Sequence, residues 1–123
     1  MEAQEKHLID RDLLKASRNN DVSEITKSIL KGADMSVHYS EPVVNAIIKG
    51  SKEALEIYLG FGYSPNANNS IAFIEAVKNN NFEMFEILFK KEKPQPVVFH
   101  HVNLCSSDEI KKIVNDTFNF QPA

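Results

Sequence analysis

Apolar residues recur along the 123-residue chain with a step of thirty. Three sets of equivalent positions show it: Leu13, Val43 and Phe73; Ile25, Leu55 and Phe85; Ile29, Leu59 and Phe89. Within each period the apolar residues lie three or four apart, which is the spacing of one helix face. A fixed period of about 20 to 50 residues is typical of repeat arrays, in which each unit buries its apolar face against its neighbours.

Residues that end helices repeat with the same step. They are Asn20, Gly50 and Asn80 in one set, and Gly32 and Gly62 in another. Glycine and asparagine tolerate the left-handed conformation that commonly follows the last turn of a helix. Each period therefore predicts two helices. In the second period Pro42 suits the first turn of the first helix, and Ser51 or Lys52 begins the second.

The pattern predicts an all-α protein, one domain over residues 1–123 with four helix-turn-helix units. The units span about 8–37, 38–67, 68–93 and 94–118. The fourth unit matches the third at a spacing of twenty-five, and Ser106 with Glu109 predicts a capping box before its last helix. Leu55 and Phe85 hold equivalent positions on the apolar stripes and are predicted to be buried.

The segment from Glu41 to Ala67 resembles an ankyrin repeat. It reads EPVVNAIIKGSKEALEIYLGFGYSPNA, in the family order of a Thr-Pro-Leu-His helix, a glycine, a Val/Leu-rich helix and Gly-Ala-Asp-Val-Asn-Ala. Ile29 to Asp34 match the end of that pattern, and Phe73 to Lys91 match its two helices. The resemblance implies an ankyrin-like helical-repeat solenoid, with fingers shortened because the period is thirty rather than about 33. Another α-solenoid is the alternative.

Charge and composition limit the classes of partner that we expect. The net charge of −3 provides no basic field, so we expect no nucleic-acid binding. No stretch approaches the roughly 18 apolar residues of a membrane span, so no membrane partner is expected. A single cysteine and a start without secretory features predict a cytoplasmic protein, and we expect a monomer when it is free.

His100, His101 and Cys105 form the cluster that most suggests chemistry. A metal site needs three or four converging ligands, and adjacent histidines on a helix point about 100° apart. Cysteine catalysis would need a supporting carboxylate or an oxyanion motif, and neither accompanies these residues. We therefore expect no catalytic, cofactor or metal site. A thiol- or metal-dependent enzyme using these three residues is kept as an alternative.

The resemblance implies a concave binding face made of finger tips and inner-helix ends. Four pairs of positions one period apart are assigned to it: His38 and Asn68, Tyr39 and Asn69, Ile48 and Lys78, Lys49 and Asn79. Tyr39 and Ile48 are the expected anchors, because aromatic and aliphatic groups near an interface centre dominate binding energy. Phe61, Tyr63 and Pro65 are also expected on this surface.

The expected function is a non-catalytic protein–protein interaction module. By analogy with other short, free-standing ankyrin-like chains, it would be a stoichiometric inhibitor, antagonist or immunity protein that binds a target protein through the concave face. A scaffold or adaptor subunit of a larger assembly is the alternative.

Overall fold

The protein, described here from a computed structural model, has helices and no strands among its described residues, which confirms the all-α prediction. The structure describes the backbone of residues 3–99 and 108–118 and the side chains of 5–98 and 108–113. These residues form eight helices: α1 Ala3–Arg18, α2 Val22–Leu30, α3 Val37–Ile48, α4 Lys52–Gly60, α5 Ala67–Lys78, α6 Phe82–Lys91, α7 Pro96–Phe99 and α8 Asp108–Phe118. The predicted cap residue Ser106 lies outside the described residues.

The chain divides into two compact units, residues 1–63 and 64–123. In unit 1, α1 and α2 form one hairpin and α3 and α4 a second, with α1 contacting α3 and α2 contacting α4. Unit 2 repeats the arrangement: α5 contacts α6 and α7, and α8 contacts α7 and α6. Each unit is therefore a stacked pair of helical hairpins.

The predicted helix ends are confirmed. Asn20, Gly50 and Asn80 have φ values of 52°, 66° and 53°, each just after the first helix of a hairpin. A capping residue then opens the second helix: the side chains of Asp21, Ser51 and Asn81 accept hydrogen bonds from the backbone N–H three residues on. Such caps each stabilise a helix by about 1 kcal/mol.

The stripes that the period predicts form the core. Leu55 in unit 1 and Phe85 in unit 2 are fully buried, as predicted. The Phe85 ring meets Phe73 edge-on at 5.4 Å between centroids and stacks on Phe89 at 6.2 Å. Truncating such side chains to alanine costs roughly 2–5 kcal/mol, so these positions determine whether each hairpin stays folded.

Short left-handed helical turns precede the second and third hairpins. His38, Tyr39 and Ser40 have φ values of 51°, 56° and 63°, and residues 68–70 have values of 53°, 58° and 61°. The right-handed part of α3 starts at Glu41, which places Pro42 in its first turn as predicted. The sequence predicts a turn at these places but not its left-handed sense.

A hydrogen bond closes each of the first three hairpins at one position of the repeat. The bonds run from the Asp34 N–H to Asp10 Oδ1 at 2.8 Å, from the Tyr63 hydroxyl to Ser40 Oγ at 2.6 Å, and between Ser70 Oγ and Gln95 Oε1 at 2.9 Å. In each case a residue of the first helix holds the connector that follows the second helix. Positions 10, 40 and 70 are thirty apart, so the bond belongs to the repeat although its chemistry changes.

The expectation that Tyr63 and Pro65 lie on an exposed surface is wrong. Tyr63 is 4% exposed, because its ring enters unit 1 and its hydroxyl donates to the fully buried Ser40. Pro65 is also buried. Only Phe61 of the three is exposed.

Two buried tyrosines of unit 1 allow a matched test of the closing bond. The Tyr63 hydroxyl is bonded, whereas the fully buried Tyr58 hydroxyl has no hydrogen-bond partner among the described residues. We expect Tyr63→Phe to lower the free energy of unfolding by about 1 kcal/mol, and Tyr58→Phe to leave it unchanged or raise it. Urea denaturation followed by circular dichroism measures both, and equal losses in the two variants would contradict the role given to the Ser40 bond.

Candidate functional site

The four predicted binding residues of unit 1 all lie on its surface, at the two ends of α3. His38 and Tyr39 belong to the left-handed turn, Ile48 is the last residue of the helix, and Lys49 is its C-cap. Tyr39 is 53% exposed and Ile48 57% exposed. Unit 1 therefore presents an aromatic side chain to solvent at the start of α3 and an aliphatic side chain at its end.

Glu41 is the centre of a polar network beside His38. Its carboxylate accepts two hydrogen bonds from the Arg18 guanidinium, at 2.7 and 2.9 Å, and one from the Asn45 amide at 3.1 Å. His38 Nδ1 lies 3.7 Å from Glu41 Oε1. The Arg18 bonds, with help from Asn45 and the charges of Arg18 and His38, lower the pKa of Glu41 to about 2 despite partial burial. The network ties the end of α1 to the start of α3.

In unit 2 the predicted residues form a more polar group. Lys78 Nζ lies 3.7 Å from Glu75 Oε1, and the Asn79 amide donates to the Glu75 carbonyl oxygen at 2.7 Å. Lys78 and Asn79 are exposed at the end of α5. Asn69 is exposed and Asn68 half-buried in the left-handed turn at its start. Glu75 thus brings Lys78 and Asn79 together.

Backbone conformation explains the asparagines of this set. Asparagine is among the few residues other than glycine that adopt the left-handed region readily. Asn68 and Asn69 therefore suit the turn that they form. His38 and Tyr39 occupy the same conformation in unit 1, and of the two only histidine belongs to the residue types enriched there. The presence of Tyr39 needs a reason beyond the backbone.

The sequence analysis missed Arg18, Glu41, Asn45 and Glu75. The repeat could have identified one of them. Arg18 is thirty residues before Ile48 and sixty before Lys78, so it holds the position equivalent to these two predicted binding residues. Glu41 had none, because Arg11 and Ile71 stand at its equivalent positions.

Two observations concern metal binding and membrane crossing in the part of the chain that the structure describes. Among residues 3–99 and 108–118 no group of three His, Cys, Asp or Glu side chains could hold a metal ion. No helix within these ranges has the length and apolar character needed to cross a membrane. His100, His101 and Cys105 lie outside the described residues.

The left-handed turn predicts an unusual order of stability at position 39. Tyr39→Gly should be more stable than Tyr39→Ala by about 0.5–1 kcal/mol, because glycine adopts a positive φ without a steric cost. At Ile48, in the right-handed part of the same helix, the order should reverse by a similar amount. Thermal unfolding of the four variants tests this, and an alanine advantage at both positions would show that residue 39 is not left-handed.

The low pKa of Glu41 predicts a pH dependence. A carboxylate whose pKa is about 2 in the folded chain, against 4.5 ordinarily, stabilises the fold above pH 4.5 and loses that contribution as pH falls towards 2. Glu41→Gln should therefore unfold more easily than the unchanged protein at pH 7, and the difference should shrink between pH 4.5 and 2. Glu56→Gln, which removes an exposed carboxylate from α4 of the same unit, is the control. A difference that stays constant over this pH range would contradict the assignment.

No protein-family model, no curated protein and no solved structure matches this chain. The ankyrin resemblance therefore rests on the residues that carry it, above all the segment from Glu41 to Ala67. The structure contributes the stacked pair of helical hairpins within each unit and the surface positions described above.

Proposed function

We propose that the protein is a non-catalytic protein–protein interaction module of ankyrin-like solenoid architecture. The stacked hairpins in each unit and the thirty-residue step support that architecture. The proposed binding residues are those predicted from the repeat: His38, Tyr39, Ile48 and Lys49 in unit 1, and Asn68, Asn69, Lys78 and Asn79 in unit 2. A target protein bound by this set would be inhibited, or held in an assembly.

Tyr39 is the observation that carries the proposal. The core does not require it, since more than half of its surface is exposed. The left-handed backbone disfavours it by about 1–2 kcal/mol, and the equivalent position in unit 2 holds the better suited Asn69. Residues kept in a disfavoured backbone region cluster at binding sites. A large aromatic ring held outward in this way is typical of an interface anchor.

The Glu41 network supports the same surface. Two hydrogen bonds from Arg18 of α1 hold Glu41, at the start of the right-handed part of α3, and Asn45 of the same helix donates a third. The turn that carries His38 and Tyr39 therefore rests on a fixed base. A surface that is already ordered loses less conformational entropy on binding. Tyrosine adds little to that loss, because it has only two side-chain torsions.

The test removes both apolar anchors. Tyr39→Ala combined with Ile48→Glu should abolish capture of the target from a lysate of the source organism, because it removes the exposed ring and places a charge in the contact. Quantitative mass spectrometry of proteins bound to the immobilised chain, followed by measurement of a 1:1 complex with the purified target, gives the readout.

The control exchanges charges on the other helix of the same hairpin. Lys52→Glu combined with Glu56→Lys alters two exposed residues of α4 and preserves the net charge, so it should leave capture intact. Helicity and melting temperature should be nearly equal in both double variants. Capture that survives loss of Tyr39 and Ile48 but fails in the α4 variant would place the binding surface elsewhere.

A further inference from the structure

A small groove in unit 1 runs between α1 and the start of α3. One wall is a stripe of α1 at helical spacing, His7, Asp10, Arg11, Leu14 and Arg18, and the other is Val37 with His38. The cavity measures about 200 Å³. This is below the roughly 300–1,000 Å³ of small-molecule pockets, so its size suits one or two side chains of a partner rather than a cofactor.

The charges around the groove leave one cation uncompensated. Asp10 is engaged by Lys6 Nζ at 2.7 Å and by the Asp34 N–H at 2.8 Å. Arg18 is engaged by both oxygens of Glu41. Arg11 is exposed, and it has no ion pair or hydrogen bond to any described residue. The groove thus presents a guanidinium whose counter-charge the described part of the chain does not supply.

The remaining walls suit a carboxylate on an aliphatic stem. Arginine binds carboxylates with two parallel hydrogen bonds, and the imidazoles of His7 and His38 add N–H donors. Leu14 and Val37 give an apolar lining on which methylene groups can pack. Nucleic acid fits poorly, because the chain as a whole carries a charge of −3 and would repel a phosphate backbone.

We propose that this groove recognises an acidic side chain of the partner protein, an Asp or Glu in a segment that also carries an apolar residue for Tyr39. The position of His38 supports the combination, because His38 lines the groove and immediately precedes Tyr39. The proposal rests on the proposed function and adds the chemistry of the partner, with Arg11 as the residue that binds the carboxylate.

The experiment uses a displayed library of random short peptides as the probe. The unchanged protein, Arg11→Gln, Lys52→Gln and the variant lacking Tyr39 and Ile48 serve as baits. Arg11→Gln and Lys52→Gln each remove one exposed cation from unit 1, so they are matched in net charge. Because Arg11 is exposed and has no hydrogen bond or ion pair to a described residue, the Arg11→Gln variant should keep the melting temperature of the unchanged protein.

Peptides retained by the unchanged protein should be enriched in Asp or Glu beside an apolar residue. The best of them should bind Arg11→Gln about tenfold or more weakly, and Lys52→Gln less than twofold more weakly. Replacing the acidic residue of the peptide by its amide should weaken binding to the unchanged protein by a similar factor. The amide peptide should bind Arg11→Gln no more weakly than that, because the two changes remove the same interaction.

Four results would overturn the proposal. Retained peptides that are not enriched in acidic residues would leave the groove without its assigned ligand. So would peptides that lose affinity equally for Arg11→Gln and Lys52→Gln. If such peptides still need Tyr39 and Ile48, the proposed function survives. Peptides that carry no acid but are displaced by low-millimolar inorganic phosphate would assign the groove to a phosphate group. A library that yields no retained peptide also overturns it and leaves the proposed function to the capture experiment.

Discussion

The hydrogen bond that closes each of the first three hairpins is the constraint on which the left-handed turns of this fold depend. Ser40 and Ser70 are the last left-handed residues before a right-handed helix, and both are fully buried. Three consecutive left-handed residues without glycine cost about 1–2 kcal/mol each. They persist because the serine N–H bonds back to the carbonyl oxygen of residue 36 or 66, while its side chain is bonded to the connector that follows the hairpin. Without that second attachment, an extended connector would be the easier path.

Local features of the helices could be predicted from the sequence, whereas the hydrogen bonds that close the hairpins could not. Helix ends at Gly50 and Asn80 and the buried stripe residue Leu55 were predictable, because glycine, asparagine and helical spacing act within one or two turns of the chain. The burial of Tyr63 was not, because it depends on a bond to Ser40, 23 residues away. The bonding group of the connector also changes along the repeat, from the backbone N–H of Asp34 to the hydroxyl of Tyr63 and the side-chain amide oxygen of Gln95, so no residue type marks the position.

The predicted binding set divides in a similar way. The resemblance and the thirty-residue step together predicted that His38, Tyr39, Ile48 and Lys49 lie on a surface, and all four are exposed in unit 1. They could not find the pair of Arg18 and Glu41, which joins non-equivalent positions of two successive hairpins. A repeat predicts which residues hold equivalent positions in successive units. Contacts between non-equivalent positions depend instead on how far neighbouring helices are shifted along one another.

The differences between equivalent positions therefore carry more functional information than the similarities. The left-handed turn and its closing serine are common to residues 38–40 and 68–70, so they belong to the scaffold. On that scaffold one turn displays histidine and tyrosine and the other two asparagines. Since asparagine adopts the left-handed region more readily than tyrosine, stability alone would favour it over tyrosine at this place in both turns. The tyrosine of unit 1 is disfavoured by the backbone and exposed to solvent, and the proposed contact with a partner would give it a role there.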